Sequence, residues 1–238
     1  MALRATGGAE RQRVAARAAA FAAELRAATA SAVCVPAGKW AAHDVVLWLA
    51  LVEGLGYGRD RQALRKAGRA LADGASQQAI MDACAALPKL ERARLGGLLG
   101  WHERWRASGP WAVLGAALSA GTPRQGAHTL LEALGVPRGA ASVGRACILA
   151  SNVVLPFGAA LAELHEDRDL SARVAEVFAV LAAPPSNAIT RLLGCQLGLR
   201  RLPSGAAAHA GLQQVWALWC RRKTCDACAC AQHSPGEQ

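Results

Sequence analysis

Four cysteines crowd the end of the chain in the run Cys220-Arg-Arg-Lys-Thr-Cys225-Asp-Ala-Cys228-Ala-Cys230. Thiolates are the ligands of structural zinc and of iron–sulfur clusters, and a C-x₂-C turn aims two sulfurs at one ion. The spacing C-x₄-C-x₂-C-x-C matches no standard finger, so it implies a metal without naming it. Zinc is the expected ion and an iron–sulfur cluster the alternative, because a compact thiolate site at a chain end usually serves structure. Cys220, Cys225 and Cys228 form the heart of the expected tetrahedral site. Cys230 is the nearest fourth ligand, with His209 or Cys195 as substitutes. A Cys-rich tail of ordinary thiols, or of disulfides in an exported protein, is the plainer alternative.

The second constellation is electrostatic. The net charge is +10, from 27 basic and 17 acidic residues, and no Asp or Glu occurs from Val177 to Cys225. Arg200 and Arg201 precede the final helix, and Arg221, Arg222 and Lys223 follow it. These five side chains are expected on one exposed face, which would attract nucleic acid or an acidic protein partner. A face that merely solubilises the protein is the competing reading.

Catalytic motifs fail letter by letter. Arg106 stands four residues after His102, where a zinc-protease helix needs a second histidine. Gly38-Lys39 has Val33 where a phosphate loop needs its first glycine and Trp40 where it needs Ser or Thr. Gly54-Leu55-Gly56-Tyr57-Gly58 runs into Arg59 where a dinucleotide fingerprint needs its last glycine. His43-Asp44 reads as a polar boundary at the start of a buried helix, and His165 to Asp169 as a solvated turn. No nucleophile has a matched base, so catalysis by this chain finds no support in its motifs.

The elements that must carry these residues are helices. The chain is 53% hydrophobic and Ala- and Leu-rich, yet has one Tyr and three Phe, too few of the residues that favour strands. An all-α, multi-helix domain ending in a Cys-rich metal-binding hairpin is predicted. Residues 1–35 form a basic amphipathic helix, 36–230 the helical domain and 231–238 a loose tail. Residues 40–55 are apolar almost all round and predict a central buried helix. Helices are expected at 59–71, 76–87, 88–106, 111–119, 124–134, 143 onward, 169–181 and 206–219, the last delivering Cys220. The seven tryptophans fill the core. So do Cys34, Cys84, Cys147 and Cys195, which lie in apolar surroundings.

Three polar residues stand out inside this pattern. Asn152 lies in an apolar run, and Pro156, which has no N–H, leaves the Asn152 carbonyl without its helical donor. Repair of that break by Asn152 itself is the expected solution. Asn187, or Ser186, caps the helix that follows Pro184-Pro185. Gln214 lies two turns before Cys220, where an amide could orient a metal ligand. Arg4, Glu10 and Arg11 interrupt the start before a signal-peptide core forms, and Ser151, Asn152, Pro156 and Gly158 break the longest uncharged run. Both observations predict a cytoplasmic protein that does not enter a membrane.

Four stretches in order resemble the C-terminal helical half of the uncharacterised bacterial proteins grouped as domain of unknown function 2851. They are Leu51 to Asp60, Asn152 to Phe157, Ser186 to Arg191, and the Gln214 helix running into Cys220-x₄-Cys225-x₂-Cys228. The similarity spans most of residues 40 to 230. Asp60 replaces the family's usual Asn after the Gly-Tyr pair, and Arg106-Ala107-Ser108-Gly109-Pro110 only partly matches a second segment. The resemblance implies a helical module with a metal, and the basic segment and cysteine cluster make a metal-stabilised binding module the leading expectation. Longer members carry an acidic, nuclease-type half, so it also implies a nuclease-like partner. A structural or interaction domain and an iron–sulfur enzyme are the alternatives.

Overall fold

A computed structural model describes residues 2–31, 40–56, 60–83, 89–135 and 142–222, with the side chains of 2–11, 31, 60–61, 83 and 89–93 outside that description. The helices are α1 (Ala2–Ser31), α2 (Ala42–Leu55), α3 (Asp60–Ala72), α4 (Gln77–Ala83), α5 (Lys89–Trp105), α6 (Pro110–Ser119) and α7 (Pro123–Leu134). They continue with α8 (Val143–Leu149), α9 (Leu155–Leu164), α10 (Arg168–Val180), α11 (Ala188–Gln196) and α12 (Ala206–Val215). The expected all-α class holds. No strand forms among the described residues, and Ala182 and Gly205 make only an isolated bridge.

The predicted central helix is α2. Asp44, Leu47, Trp48, Leu51, Val52 and Leu55 are buried at a helical repeat, and α1, α3, α6 and α8 pack around them. Among its half-buried apolar residues, Val46, Leu49 and Ala50 form a second stripe on another face. The helix is apolar all round because it has two faces to supply, one for the core and one for a cleft described below. The Trp48 indole N–H donates to the Gly68 carbonyl at 2.8 Å. Gly68 lets α3 approach this closely, since a Cβ there would sit 2.8 Å from Val52 Cγ2.

α1 packs on α12, α9 and α2, and Ala18, Ala22 and Leu25 join the same core as α2 and α9. Small side chains leave little trace in a hydrophobicity profile, but they allow helix axes to come close. Trp48, Trp101 and Trp105 are fully buried, as expected of core fillers, whereas Trp40, Trp111, Trp216 and Trp219 are half-buried. Cys147 is buried but Cys195 is exposed on α11, which corrects its assignment to apolar surroundings. It follows Leu193 and Gly194, which take the buried face of that short helix. Cys34 and Cys84 lie outside the described residues.

Pro156 neither ends nor sharply breaks its helix. A π segment, Ala150–Val154, joins α8 to α9 into one continuous rod, with the Leu155 N–H reaching back to the Ala150 carbonyl. Val143–Leu164 is thus a 22-residue helix that is long and apolar enough to cross a membrane by length and composition alone, with the expected polar interruptions included. Of its most apolar window, 72% is buried inside the fold, as befits a core helix. A second π segment, Trp216–Cys220, extends α12.

Candidate functional site

The C-terminal end is built around a small apolar cluster. Leu193 from α11 and Leu212 and Val215 from α12 are buried together. Against them pack Leu197, Leu199 and Leu202 from the α11–α12 connection, and Trp216, Trp219 and Cys220 from the end of the last helix. Leu199 and Leu202 bracket Arg200 and Arg201, and Cys220 directly precedes Arg221 and Arg222. The connection that enters the last helix and the π segment that ends it thus pack against the same three buried residues. All four arginines are exposed and border one cluster. Arg191, on α11, is exposed as well. Lys223 lies outside the described residues.

Cys220 is half-buried at the end of the π segment, where sequence reasoning put it. Cys225, Cys228 and Cys230 lie outside the described residues. Among the described residues no three His, Cys, Asp or Glu side chains gather as a metal site. His209 cannot be the fourth ligand beside Cys220. The two are eleven residues apart on one helix, about 16 Å at 1.5 Å per residue, and the His209 ring is buried near Arg13. Gln214 is half-buried on the same helix, about 9 Å along the axis from Cys220. Asn187 is the α11 cap as predicted. Its side chain accepts from the Thr190 N–H at 3.0 Å, and Thr190 Oγ1 accepts from the Asn187 N–H at 3.0 Å.

The broken hydrogen bond at Asn152 is repaired from elsewhere. Arg17 Nη1, on α1, donates to the Asn152 carbonyl at 2.6 Å, so the expected self-repair by Asn152 is corrected. A guanidinium from a neighbouring helix can reach the orphan carbonyl, whereas an Asn amide would have to fold back on its own backbone.

That contact lies on the wall of a cleft of about 610 Å³ that sequence reasoning missed. Four helix faces converge on it. α1 presents Arg17, Phe21 and Glu24, and α2 presents its second stripe from Val46 to Gly54. α3 adds Arg65 and Arg69, and the α8–π rod adds Arg145, Ile148, Leu149, Asn152 and Val153. Arg145 Nη1 donates at 3.0 Å to the Gly54 carbonyl, in the last turn of α2 where carbonyls lack helical donors. Gly54 makes this approach possible, because a Cβ there would sit 2.5 Å from Leu149 Cδ2. Arg65 pairs with Glu53 at 3.2 Å. Burial holds Arg17 and Arg145 below their ordinary range. Arg13, one turn before Arg17, is pushed down to about 10 by burial and then by repulsion from Arg17.

Comparison with known proteins returns nothing. No family model, curated protein or solved structure matches this chain.

The other polar features have structural roles. Buried Asp44 accepts from the Trp111 N–H at 2.7 Å, capping α6 from the first turn of α2, and His43 Nε2 lies 3.3 Å from its other oxygen. This matches the reading of His43-Asp44 as a polar boundary. Arg173 donates to the carbonyls of Leu118, Ala120, Gly121 and Thr122 and so secures the end of α6. A larger groove of about 750 Å³ between α1, α9 and α10 is walled mainly by alanines and other apolar side chains, with Glu163, Glu166 and Asp167 among its few charges.

Proposed function

We propose that this chain is a helical binding module that engages the phosphate backbone of nucleic acid through Arg200, Arg201, Arg221, Arg222 and Lys223. In this proposal Cys220, Cys225, Cys228 and Cys230 hold zinc, which staples the end of the last helix beneath the basic surface. The observation that supports it is the packing of the α11–α12 connection on the Leu193–Leu212–Val215 cluster. It brings Arg200 and Arg201 to the same apolar cluster that Cys220 joins. Phosphate contacts of this kind carry affinity and little sequence information, so binding should be general and strongly salt-dependent.

The test is fluorescence anisotropy with labelled single-stranded and duplex oligonucleotides across a salt series. Each lost phosphate contact should shallow the slope of log affinity against log salt by roughly 0.7 to 0.9. The Arg200→Ala, Arg201→Ala, Arg221→Ala, Arg222→Ala protein should therefore bind more weakly and with a clearly flatter slope. No binding at low salt, or an unchanged slope in that protein, would sink the proposal.

A further inference from the structure

We propose that the cleft between α1, α2, α3 and the α8–π rod is a binding site for a small molecule that joins a phosphomonoester to an apolar body. The inference stands apart from the basic C-terminal surface and uses none of its residues.

The charge in the cleft is not balanced. Four guanidiniums, Arg17, Arg65, Arg69 and Arg145, face only two carboxylates, Glu24 and Glu53. One carboxylate is already used by Arg65. The hydrogen bond of Arg17 given above ends on a neutral carbonyl, which orients the guanidinium without cancelling its charge. Arg17 makes no ion pair among the described residues, and neither does Arg69. Arg13 adds a further cation one helical turn from Arg17. Arg17 and Arg145 are half-buried and Arg65 and Arg69 exposed along one cleft. An anion relieves this net positive lining, and a phosphomonoester brings a charge near −2 at neutral pH.

Two of the arginines, Arg17 and Arg145, are also held in place before any ligand arrives. The carbonyl that positions Arg17 is freed by Pro156, and the one that positions Arg145 by the end of α2. Two defects in regular helices thus become two anchors, so little side-chain entropy remains to be lost on binding. π segments are frequent at functional sites for this kind of reason.

The rest of the wall is apolar. Phe21, Val46, Leu49, Ile148, Leu149 and Val153 line it. Val46, Leu49 and Ala50 form the half-buried α2 stripe, packed on the edge of the core and open to the cleft. A volume of about 610 Å³ suits a small organic molecule. Apolar walls and a few fixed cations together select an ester over free phosphate.

The test is calorimetric titration of the full chain with phenyl phosphate, inorganic phosphate and benzyl alcohol. Phenyl phosphate should bind saturably, one per chain, and more tightly than either of the other probes. Arg17→Gln and Arg69→Gln should each weaken it roughly tenfold or more, since a charge-assisted contact is lost. Arg69 is exposed, so Arg69→Gln decides the matter even if Arg17→Gln fails to fold. The Arg200→Ala, Arg221→Ala protein should bind phenyl phosphate like the parent, which separates this site from the nucleic-acid surface. No saturable binding by the parent, or unchanged affinity in Arg69→Gln, overturns the site. Equal binding of benzyl alcohol overturns the role of the phosphate, and equal binding of inorganic phosphate overturns that of the apolar wall.

Discussion

Arg17 Nη1 lies 2.6 Å from the carbonyl of Asn152, a hydrogen bond between residues 135 apart in the chain. It joins the first helix to the middle of the central rod at the one turn where Pro156 removes a backbone donor. Replacing Arg17 with Met keeps much of the side-chain stem but leaves that half-buried carbonyl without its donor. The expected loss is about 1–3 kcal/mol, measured as a lower urea midpoint. Arg17→Lys should recover part of it, because an ammonium can still donate.

His209 predicts a pH dependence. It is 2% exposed, and neither ring nitrogen has a hydrogen-bond partner among the described residues. Burial, with Arg13 adding repulsion, holds its pKa below the ordinary 6.5. The unfolded chain therefore takes up a proton near pH 6.5 that the fold resists. The contribution to stability is complete above that pH and is lost as pH falls through 6.5 toward the folded value, by up to about 1.4 kcal/mol per pH unit. His102 is shifted the same way, so both groups contribute. His209→Leu should be neutral or stabilising at pH 7 and should flatten, without abolishing, the fall in urea midpoint between pH 7 and pH 5.

Asp44 and Gly109 should behave as a coupled pair. Asp44→Ala removes the α6 cap and should cost about 1–2 kcal/mol. Gly109 has φ 85°, and a Cβ there would sit 2.5 Å from Asp44 Oδ2, so Gly109→Ala suffers both backbone strain and a clash. In the Asp44→Ala background only the strain remains. Thermal unfolding of the two single variants and the double variant should show the second substitution costing less than it does alone.

The thiol proposal is tested by metal content. Protein purified without oxygen should carry about one zinc per chain, and Cys225→Ser should lower that occupancy. Chelation should loosen the last helix first, raising hydrogen exchange in 206–220 while α2 stays protected. Full zinc content in both Cys220→Ser and Cys225→Ser proteins would remove these thiols as ligands.

Much of the helical layout was legible because periodicity and punctuation are local. Pro123 and Thr122 start α7, Asn187 starts α11, and the stripe of α2 marks its buried face. The orphan carbonyl at Asn152 could also be read, since proline chemistry acts within four residues. Its partner could not. Arg17 sits in a run of arginines that differ in sequence by nothing that says which one faces Asn152. The cleft was hidden for the same reason, as its cations come from three separate helices. One clue was available in α2, whose apolar residues exceed what a single buried face needs. The exposure of Cys195 was misread because apolar neighbours in sequence do not fix which side of a short helix turns inward.

The π segment has a final consequence, for phase. A π turn holds one residue more than the α turn it replaces, so every side chain after Val154 is rotated by about 100° relative to an uninterrupted helix. Arg145, Ile148 and Asn152 are set in one frame, toward the cleft, while Phe157, Ala160 and Leu161 are set in the other, into the core. Deleting one residue between Ala150 and Val154 would merge the two frames into a single regular helix. The rod could then serve the cleft or the core with its native residues, but not both.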